Sequence, residues 1–380
     1  MEPTIKPMTD IQPFLDRVVL WAMDHADIQA IALVGSYARA KATPSSDVDL
    51  ALLVDEPGSY LADPGWINLF GSPARHQVED YGRLTSLRVW YLDEFEVEFG
   101  LTDPGWAAQP LDEGTDRVLM DGVKVLYERK PLLSPVLEGF NEAENLFTAL
   151  VQAIQQQVNT KMASQNVDFQ HVWLTSPESK AIFRLHRQEI RRLPLRGRLH
   201  LARWLTLSDV IHGIGFANSV LELSAKELCP SDFAYLDEHL NHFRGWGSTD
   251  DFCINVLQPL LWKYPQQTLA LLQQWNWSEN PWKRRASVVV FTRKVGASGK
   301  FTSQALELCE NLLWDKEDLV QKGVGWSLKD GMRGNREQVL EYVKTLRRRG
   351  VSAVITLYAI RDLKGTERQE ILDIHSPKNA

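Results

Sequence analysis

A change of texture near residue 133 constrains this chain more than any other feature. Before it lie short apolar or alternating runs of strand length: Ala30 to Val34, Asp47 to Asp55, Ser86 to Leu92 and Phe95 to Leu101, with Asp121 to Tyr127 as a further one. Residues 11–25 place Phe14, Leu15, Val18, Val19 and Ala22 at three- and four-residue spacing, an amphipathic helix. Gly58 to Ser72 is rich in Gly, Pro and Asp and reads as loop. After residue 133 strand alternation gives way to helical patterns in series: Asp250 to Lys263, Pro265 to Trp275, Pro281 to Lys294, Phe301 to Trp314, Glu317 to Lys329 and Arg336 to Arg349. Helices of this length, stacked in pairs with short breaks, build an α-solenoid. A chain of 380 residues also exceeds one ordinary core. The expected organisation is an α/β domain over 1–133 and an all-α domain over 145–380, joined near Pro131 to Pro135.

Charge divides at the same place. The net charge is −7 overall, but residues 1–133 sum to −11 and residues 134–380 to +4. An acidic half suits metal and a mildly basic half suits phosphate, where clustering matters more than the total. No apolar run reaches the eighteen residues a membrane helix needs, and Met1 to Asp10 lacks an apolar signal core. Cys229, Cys253 and Cys309 are odd in number and fit no zinc spacing, which favours a reduced, cytoplasmic setting. The thirteen Trp serve cores and base stacking equally well and decide nothing by number.

The acidic half holds the sharpest motif: Val34-Gly35-Ser36-Tyr37-Ala38-Arg39, then Ser45-Ser46-Asp47-Val48-Asp49-Leu50. Gly35 ends a strand and lets backbone approach a phosphate. Ser36 opens the following helix, where its hydroxyl and backbone N–H groups suit a triphosphate. Asp47 and Asp49, two apart on a strand, point to one face and can share a Mg²⁺ ion, which prefers oxygen ligands and bridges to phosphates. Glu98 on a neighbouring strand is the candidate third ligand, with Glu96 on the same face in reserve. The plain alternative for the aspartates is a solvated turn and strand edge; for Trp66 and Trp106 core packing is favoured over a pocket wall. The pattern resembles the nucleotidyltransferase superfamily of the DNA polymerase beta fold, in particular its small bacterial and aminoglycoside-modifying members, over residues 1–130. That resemblance implies in-line displacement at the α-phosphate of a nucleoside triphosphate, ATP for preference, with Asp47, Asp49 and Glu98 as catalytic metal ligands and Gly35 and Ser36 at the nucleotide.

In the helical half four segments stand out: Trp246 to Asp251, Trp277 to Ala286, Val320 to Leu328, and Arg347-Arg348-Arg349. Each has a plain structural explanation. They read as an N-cap cluster, a capped helix with a solvated basic first turn, a core helix packing through two glycines, and a solvated helix end. In this order, however, they resemble the HEAT-like-repeat DNA alkylation repair glycosylases. There a Trp precedes an Asp by four residues, as Trp246 and Asp250 do. A later helix opens Trp-x-x-Arg-Ala, matched by Trp282 to Ala286, with Arg285 at the family's functional arginine. Another carries Gln-Lys-x-x-Gly-Trp, matched by Gln321, Lys322, Gly325 and Trp326. The resemblance holds from about residue 240 to 362; Gly247 departs from it, since family members often carry a polar or acidic residue there.

The resemblance implies duplex DNA as partner and hydrolysis of the N-glycosidic bond of cationic N3- or N7-alkylated purines. Asp250 would stabilise developing oxocarbenium charge and position water, while Trp246 and Trp326 offer π faces to the sugar or lesion. Lys283, Arg284, Arg285 and Lys322 would hold DNA, and the helical half would need no cofactor. Asp251 is a competing carboxylate, turned about 100° away on a helix. Three readings follow: a repair glycosylase joined to a nucleotidyltransferase, a nucleotidyltransferase on a non-catalytic DNA- or protein-binding platform, and a small-molecule adenylyltransferase of the aminoglycoside-modifying kind. Neither the nucleotide's acceptor nor the oligomeric state is written in any of these motifs.

Overall fold

The structure, a computed structural model, describes residues 10–92, 95–108, 111–165 and 173–374. The first nine residues, part of the stretch expected to lack a signal core, lie outside them. The chain forms two compact units, Met1–Glu138 and Gly139–Ala380, so the second starts ahead of the expected 145.

In the first unit α1 (Gln12–Asp24), β1 (Ile28–Val34), α2 (Gly35–Ala38), β2 (Val48–Val54) and α3 (Pro57–Ala62) precede β3 (Pro73–Asp80), β4 (Thr85–Tyr91) and β5 (Glu96–Thr102), followed by α4 (Glu113–Met120) and β6 (Val123–Glu128). The strands form one sheet in the order β3-β4-β5-β2-β1-β6, in which β2 and β5 run parallel and the other neighbours antiparallel. The central strands are apolar on both faces because both are covered. Phe14, Leu15 and Val18 of α1 pack with Leu50, Leu52 and Phe99 on one side; Trp106, Leu119, Leu133 and Val136 pack with Ala30, Ala51 and Leu53 on the other.

Two elements depart from expectation. The segment read as loop carries α3 and a 3₁₀ turn, Pro64–Leu69. Its prolines sit in the first turn of each, Asp63 accepts a hydrogen bond from the Gly65 N–H, and Tyr60, Ile67 and Phe70 are buried. The Pro and Asp residues there start helical turns rather than excluding them. Trp66 stacks on Trp21 with ring centroids 5.2 Å apart, a core role. The second departure is β3, which has almost no apolar alternation. Pairing along β4 makes it a strand, and its charged residues suit a sheet edge.

In the second unit the described elements are all helical: α5 (Phe140–Gln165), α6 (Ser176–Arg192), α7 (Leu195–Leu207), α8 (Gly213–Ser224), α9 (Phe233–Asn241), α10 (Trp246–Phe252), α11 (Gln258–Lys263), α12 (Pro265–Asn276), α13 (Pro281–Val289), α14 (Arg293–Ser298), α15 (Thr302–Asn311), α16 (Asp318–Gly331), α17 (Arg336–Arg348), α18 (Ala353–Ala359) and α19 (Gly365–Leu372). Helices α6, α8, α10, α13, α16 and α18 pack in succession as one row, and α5, α7, α12, α15 and α17 each back a helix of that row. This is the two-row architecture of an α-solenoid.

Local chemistry shapes the row. Between α10 and α11 the chain passes through a π turn, Cys253–Leu257, in which the Gln258 N–H donates to the Cys253 carbonyl. Pro259 follows, with no N–H for a normal helical bond. Helix α13 ends at Val289, short of the expected Lys294, because residues 290–292 bend before α14. Gly325 of α16 sits where a Cβ would lie 2.7 Å from the Tyr358 Cβ and 2.9 Å from the Ile355 carbonyl oxygen, so α16 and α18 touch backbone to backbone. Among the described residues no helix is long and apolar enough to cross a membrane.

Candidate functional site

Each unit holds a candidate centre. In the first, the parallel register of β2 and β5 sets Asp49 beside Glu98, and Asp47 just before β2 completes a group whose ligand atoms all lie within 4.8 Å of one another. Glu98 joins the two aspartates there, whereas Glu96 is 2.9 Å from the guanidinium of Arg88. Arg88, directly across from Glu98 on β4, also reaches Glu98 at 2.6 Å, Asp47 at 3.5 Å and Glu79 at 3.6 Å. Burial, then repulsion from Asp47 and Glu98, pushes the Asp49 carboxyl up to about 7. A cluster this acidic calls for a cation.

Gly35 and Ser36 stand where the motif puts them. Gly35 has φ +70° and lies against the Asp49 carboxylate, which any Cβ would strike, so only glycine fits. The Ser36 hydroxyl is buried with no hydrogen-bond partner among the described residues. An orphaned donor beside three converging carboxylates fits a missing oxygen-rich ligand. An open cleft of about 350 Å³ adjoins, lined by Gly35, Arg39, Asp49, Arg83, Glu98 and Trp106 among others. Trp106 is thus both buried and a cleft wall. The sequence reading missed Arg88 and Arg39. An arginine inside the otherwise alternating strand Thr85–Tyr91 was the available signal for the first; Arg39, just after α2, stood inside the Gly-Ser motif itself without a role being assigned to it.

The second centre lies where α10, α13 and α16 meet. Trp246 opens α10 and is largely exposed; Asp250, one turn later, is buried. The expected N-cap cluster is corrected here. The cap is Gly245, Thr249 donates to the Gly245 carbonyl, and Asp250 faces away from the helix end. Both Asp250 oxygens accept from Arg285 at 2.9 Å, and Arg285 also donates to the Leu319 carbonyl. Burial raises the Asp250 carboxyl above its ordinary value, opposed by the hydrogen bonds and charge of Arg285 and by the charge of Arg293. Asp251 is turned elsewhere, accepting from Asn255 at 2.8 Å.

The basic first turn of α13 is not a solvated one. Lys283 pairs with Asp237 at 2.6 Å, and Arg284 holds Asp315 at 2.6 and 3.2 Å together with the Ser278 and Glu279 carbonyls. Lys283 and Arg285 are buried. Lys322 is exposed and pairs with Asp318 one turn back. The three terminal arginines of α17 are engaged as well. Arg347 donates to the Leu372 and Ile374 carbonyls, Arg348 pairs with Glu341 and Arg349 with Glu310.

Trp326 is oriented by a hydrogen bond from its indole N–H to Asp330, 2.8 Å, and the guanidinium of Arg293 lies 5.7 Å from its ring centre. Arg293 and Asp330 were not anticipated. Arg293 follows a bend no local pattern announces and reaches Trp326 only through tertiary packing, whereas Asp330 stands one turn after Trp326 on α16 itself.

Two family models match the sequence: one described as DNA alkylation repair enzyme over residues 116–363, the other as streptomycin adenylyltransferase over residues 8–101. By those descriptions both are enzyme families. No curated protein matches. Among solved structures, a protein described as a predicted DNA alkylation repair enzyme from Enterococcus faecalis aligns at 15% identity over 56% of this chain and 96% of its own, with a TM-score of 0.45. An aminoglycoside 6-adenyltransferase from Bacillus subtilis aligns at 12% identity over 87% of this chain and 99% of its own, with a TM-score of 0.23.

Proposed function

Because the chain belongs to the DNA alkylation repair enzyme family and carries an adenylyltransferase-like domain ahead of that part, we propose that its helical unit excises cationic N3- or N7-alkylated purines from duplex DNA and that its first unit transfers nucleotides from ATP. The observation that carries the first half is the Asp250 arrangement. A buried carboxylate is held by a bidentate arginine, with an exposed Trp246 one turn before it on the same helix.

An alkylated purine is cationic in the ground state and leaves as a neutral base, so no general acid is needed at the base. Charge develops instead on the deoxyribose. A fixed carboxylate stabilises that charge best in a site where little water competes. Arg285 fixes both oxygens by one lone pair each, and the remaining lone pairs can hold the attacking water. Trp246 and Trp326 offer negative π faces to the positive sugar. In the first unit Asp47, Asp49 and Glu98 would hold Mg²⁺, which would neutralise triphosphate charge when bound. Ser36 and Arg39 would hold the phosphates, and the cleft lined by Trp106 and Arg83 would admit the acceptor hydroxyl.

The test uses the full chain and duplexes bearing N7-methylguanine or 3-methyladenine, with free base measured beside Asp250→Asn. Release that vanishes in the variant supports excision. Binding without release supports the platform reading instead. That reading draws on one observation: Lys283, Arg284, Arg285 and Lys322 are all spent on intramolecular partners, as is Asp250 itself. No binding of duplex at all would sink excision and a DNA platform alike and leave a protein-binding platform or a small-molecule adenylyltransferase.

A further inference from the structure

With the first turn of α13 committed internally and Lys322 left only an exposed pair with Asp318, the centre around Asp250 is short of a cation positioned to hold a DNA strand. Arg293 is exposed and has no ion-pair partner among the described residues. Its backbone is unusual. With φ +53° it adopts the left-handed region, which a long side chain adopts at a cost. The surrounding structure enforces this conformation from two sides. The buried Gln258 side chain donates to the carbonyls of Val290 and Thr292, at 3.0 and 2.9 Å, and so fixes the bend. The buried Asp330 accepts the Arg293 N–H at 2.6 Å. The same Asp330 oxygen accepts the Trp326 indole N–H. One buried carboxylate therefore ties the Arg293 backbone to the Trp326 indole, and the Arg293 guanidinium lies 5.7 Å from the centre of that ring. Strain that neighbouring side chains over-determine marks a functional position more often than an accident.

We infer that Arg293 is the phosphate clamp of this centre: its guanidinium binds a backbone phosphate of the target strand and thereby lays the adjoining deoxyribose against Trp326 and toward Asp250. This rests on reading the helical unit as a duplex-binding repair enzyme. Three features support the assignment. A guanidinium matches a phosphodiester by two parallel hydrogen bonds. An unneutralised cation here would oppose positive charge growing on the sugar, whereas one paired with phosphate leaves Asp250 and the indole to act on that charge. And Arg293 already acts electrostatically on Asp250, whose carboxyl burial raises and Arg285 and Arg293 pull down.

The test compares full-length wild type with Arg293→Ala, Arg293→Gly and Arg293→Lys, measuring duplex affinity across a salt series on undamaged and N7-methylguanine DNA. Losing one phosphate contact weakens binding about tenfold at low salt and shrinks the slope of log affinity against log salt by about 0.9, on both DNAs alike. Arg293→Ala and Arg293→Gly should show this, and Arg293→Lys should keep the slope. Glycine prefers positive φ, so Arg293→Gly should melt no lower than wild type while binding worse, a split that a merely structural arginine would not produce. A wild-type salt slope in Arg293→Ala overturns the inference, as does a slope lost in Arg293→Lys together with a lowered melting temperature. If wild type binds neither duplex, the repair reading itself falls and this inference with it.

Discussion

The two centres put the same residue type to opposite uses. Around Asp49, the carboxylates of Asp47, Glu79, Glu96 and Glu98 are answered by one guanidinium, Arg88, the sole ion-pair partner they have among the described residues. Around Asp250 one carboxylate meets one guanidinium with both oxygens bonded and both groups buried. The first centre carries an excess of negative charge within the fold; the second is balanced within it. Their proposed substrates differ in the same sense. A triphosphate brings negative charge that must be neutralised from outside, whereas an alkylated purine brings its own positive charge and needs only a fixed anion.

Breaking the balance should cost most where it is complete. Replacing Arg285 by Leu strands a buried carboxylate and should destabilise the helical unit by about 3–5 kcal/mol. Arg88→Leu leaves partly solvated carboxylates that water and salt can screen, so its effect should stay near 1 kcal/mol. Chemical denaturation of both variants checks this. Similar losses in the two would show that Asp250 is no more desolvated than the acidic cluster, and the contrast would fail.

Acidification should separate the units by sign. His239, fully buried between Thr206 and Asn218, is lowered to about 3 by burial and by the charge of His242, and His200 is likewise lowered to about 3 by burial and by Arg196 and Arg203. Both fold as neutral rings. The stability they contribute is present above the unfolded pKa near 6.5 and is lost as pH falls from there toward 3, at about 1.4 kcal/mol per pH unit for each. Asp49 runs the other way. Its folded carboxyl sits near 7, so in the metal-free protein its penalty is absent below the unfolded value near 4 and grows as pH rises through 7. Calorimetry between pH 7 and 4 in chelator should therefore show the helical unit weakening while Asp49 relieves the first. His239→Gln should flatten the helical unit's profile by one residue's share. Parallel weakening with no change in that variant would refute the assignment.

The glycines sharpen the contrast on a smaller scale. Gly325→Ala would drive a methyl into α18 and should cost about 1–3 kcal/mol of helical stability. Gly35→Ala should cost about 1–2 kcal/mol for its φ of +70° and should also displace the Asp49 carboxylate. Calorimetry with and without Mg²⁺ tells them apart, since only the second should abolish a metal-dependent rise in melting temperature.

What the sequence disclosed follows the range of the interactions. Gly35, Asp47 and Asp49 lie within one strand–helix–strand unit, so spacing makes them candidates, whereas strand alternation puts Glu96 and Glu98 on one face and only the register of β2 and β5 brings Glu98 beside Asp49. The change from strands to serial helices was equally local. Arg88 acts across a ladder that no spacing reveals, and β3 exists because β4 offers it hydrogen bonds, not because its own residues alternate. In the helical half the resemblance singles out Trp246, Asp250, Arg285 and Trp326, but the partners of the cations are not legible in it. Asp250 and Arg285 are 35 residues apart, a separation no local spacing rule spans, and burial turned supposed solvated cations into internal partners. Short prolines and aspartates misled because the same residues that end a strand also begin a 3₁₀ turn, as at Asp63 and Pro64.

The smallest expected effect bears most directly on what the acidic centre is for. Asp49→Asn removes a carboxylate that Asp47 and Glu98 both oppose, so without metal it should leave the first unit as stable as wild type or stabler by up to about 1 kcal/mol. Losing a structural ion pair would have the opposite sign. With Mg²⁺ at tenfold its dissociation constant, wild type should gain about 1.4 kcal/mol by mass action, and Asp49→Asn should gain almost none. A variant destabilised in chelator would mean that Asp49 holds the fold together through a partner, and the centre would then resemble Asp250 in design. A variant that keeps the full Mg²⁺ gain would move the ion away from Asp49 and leave Gly35 guarding a carboxylate with no ligand to hold.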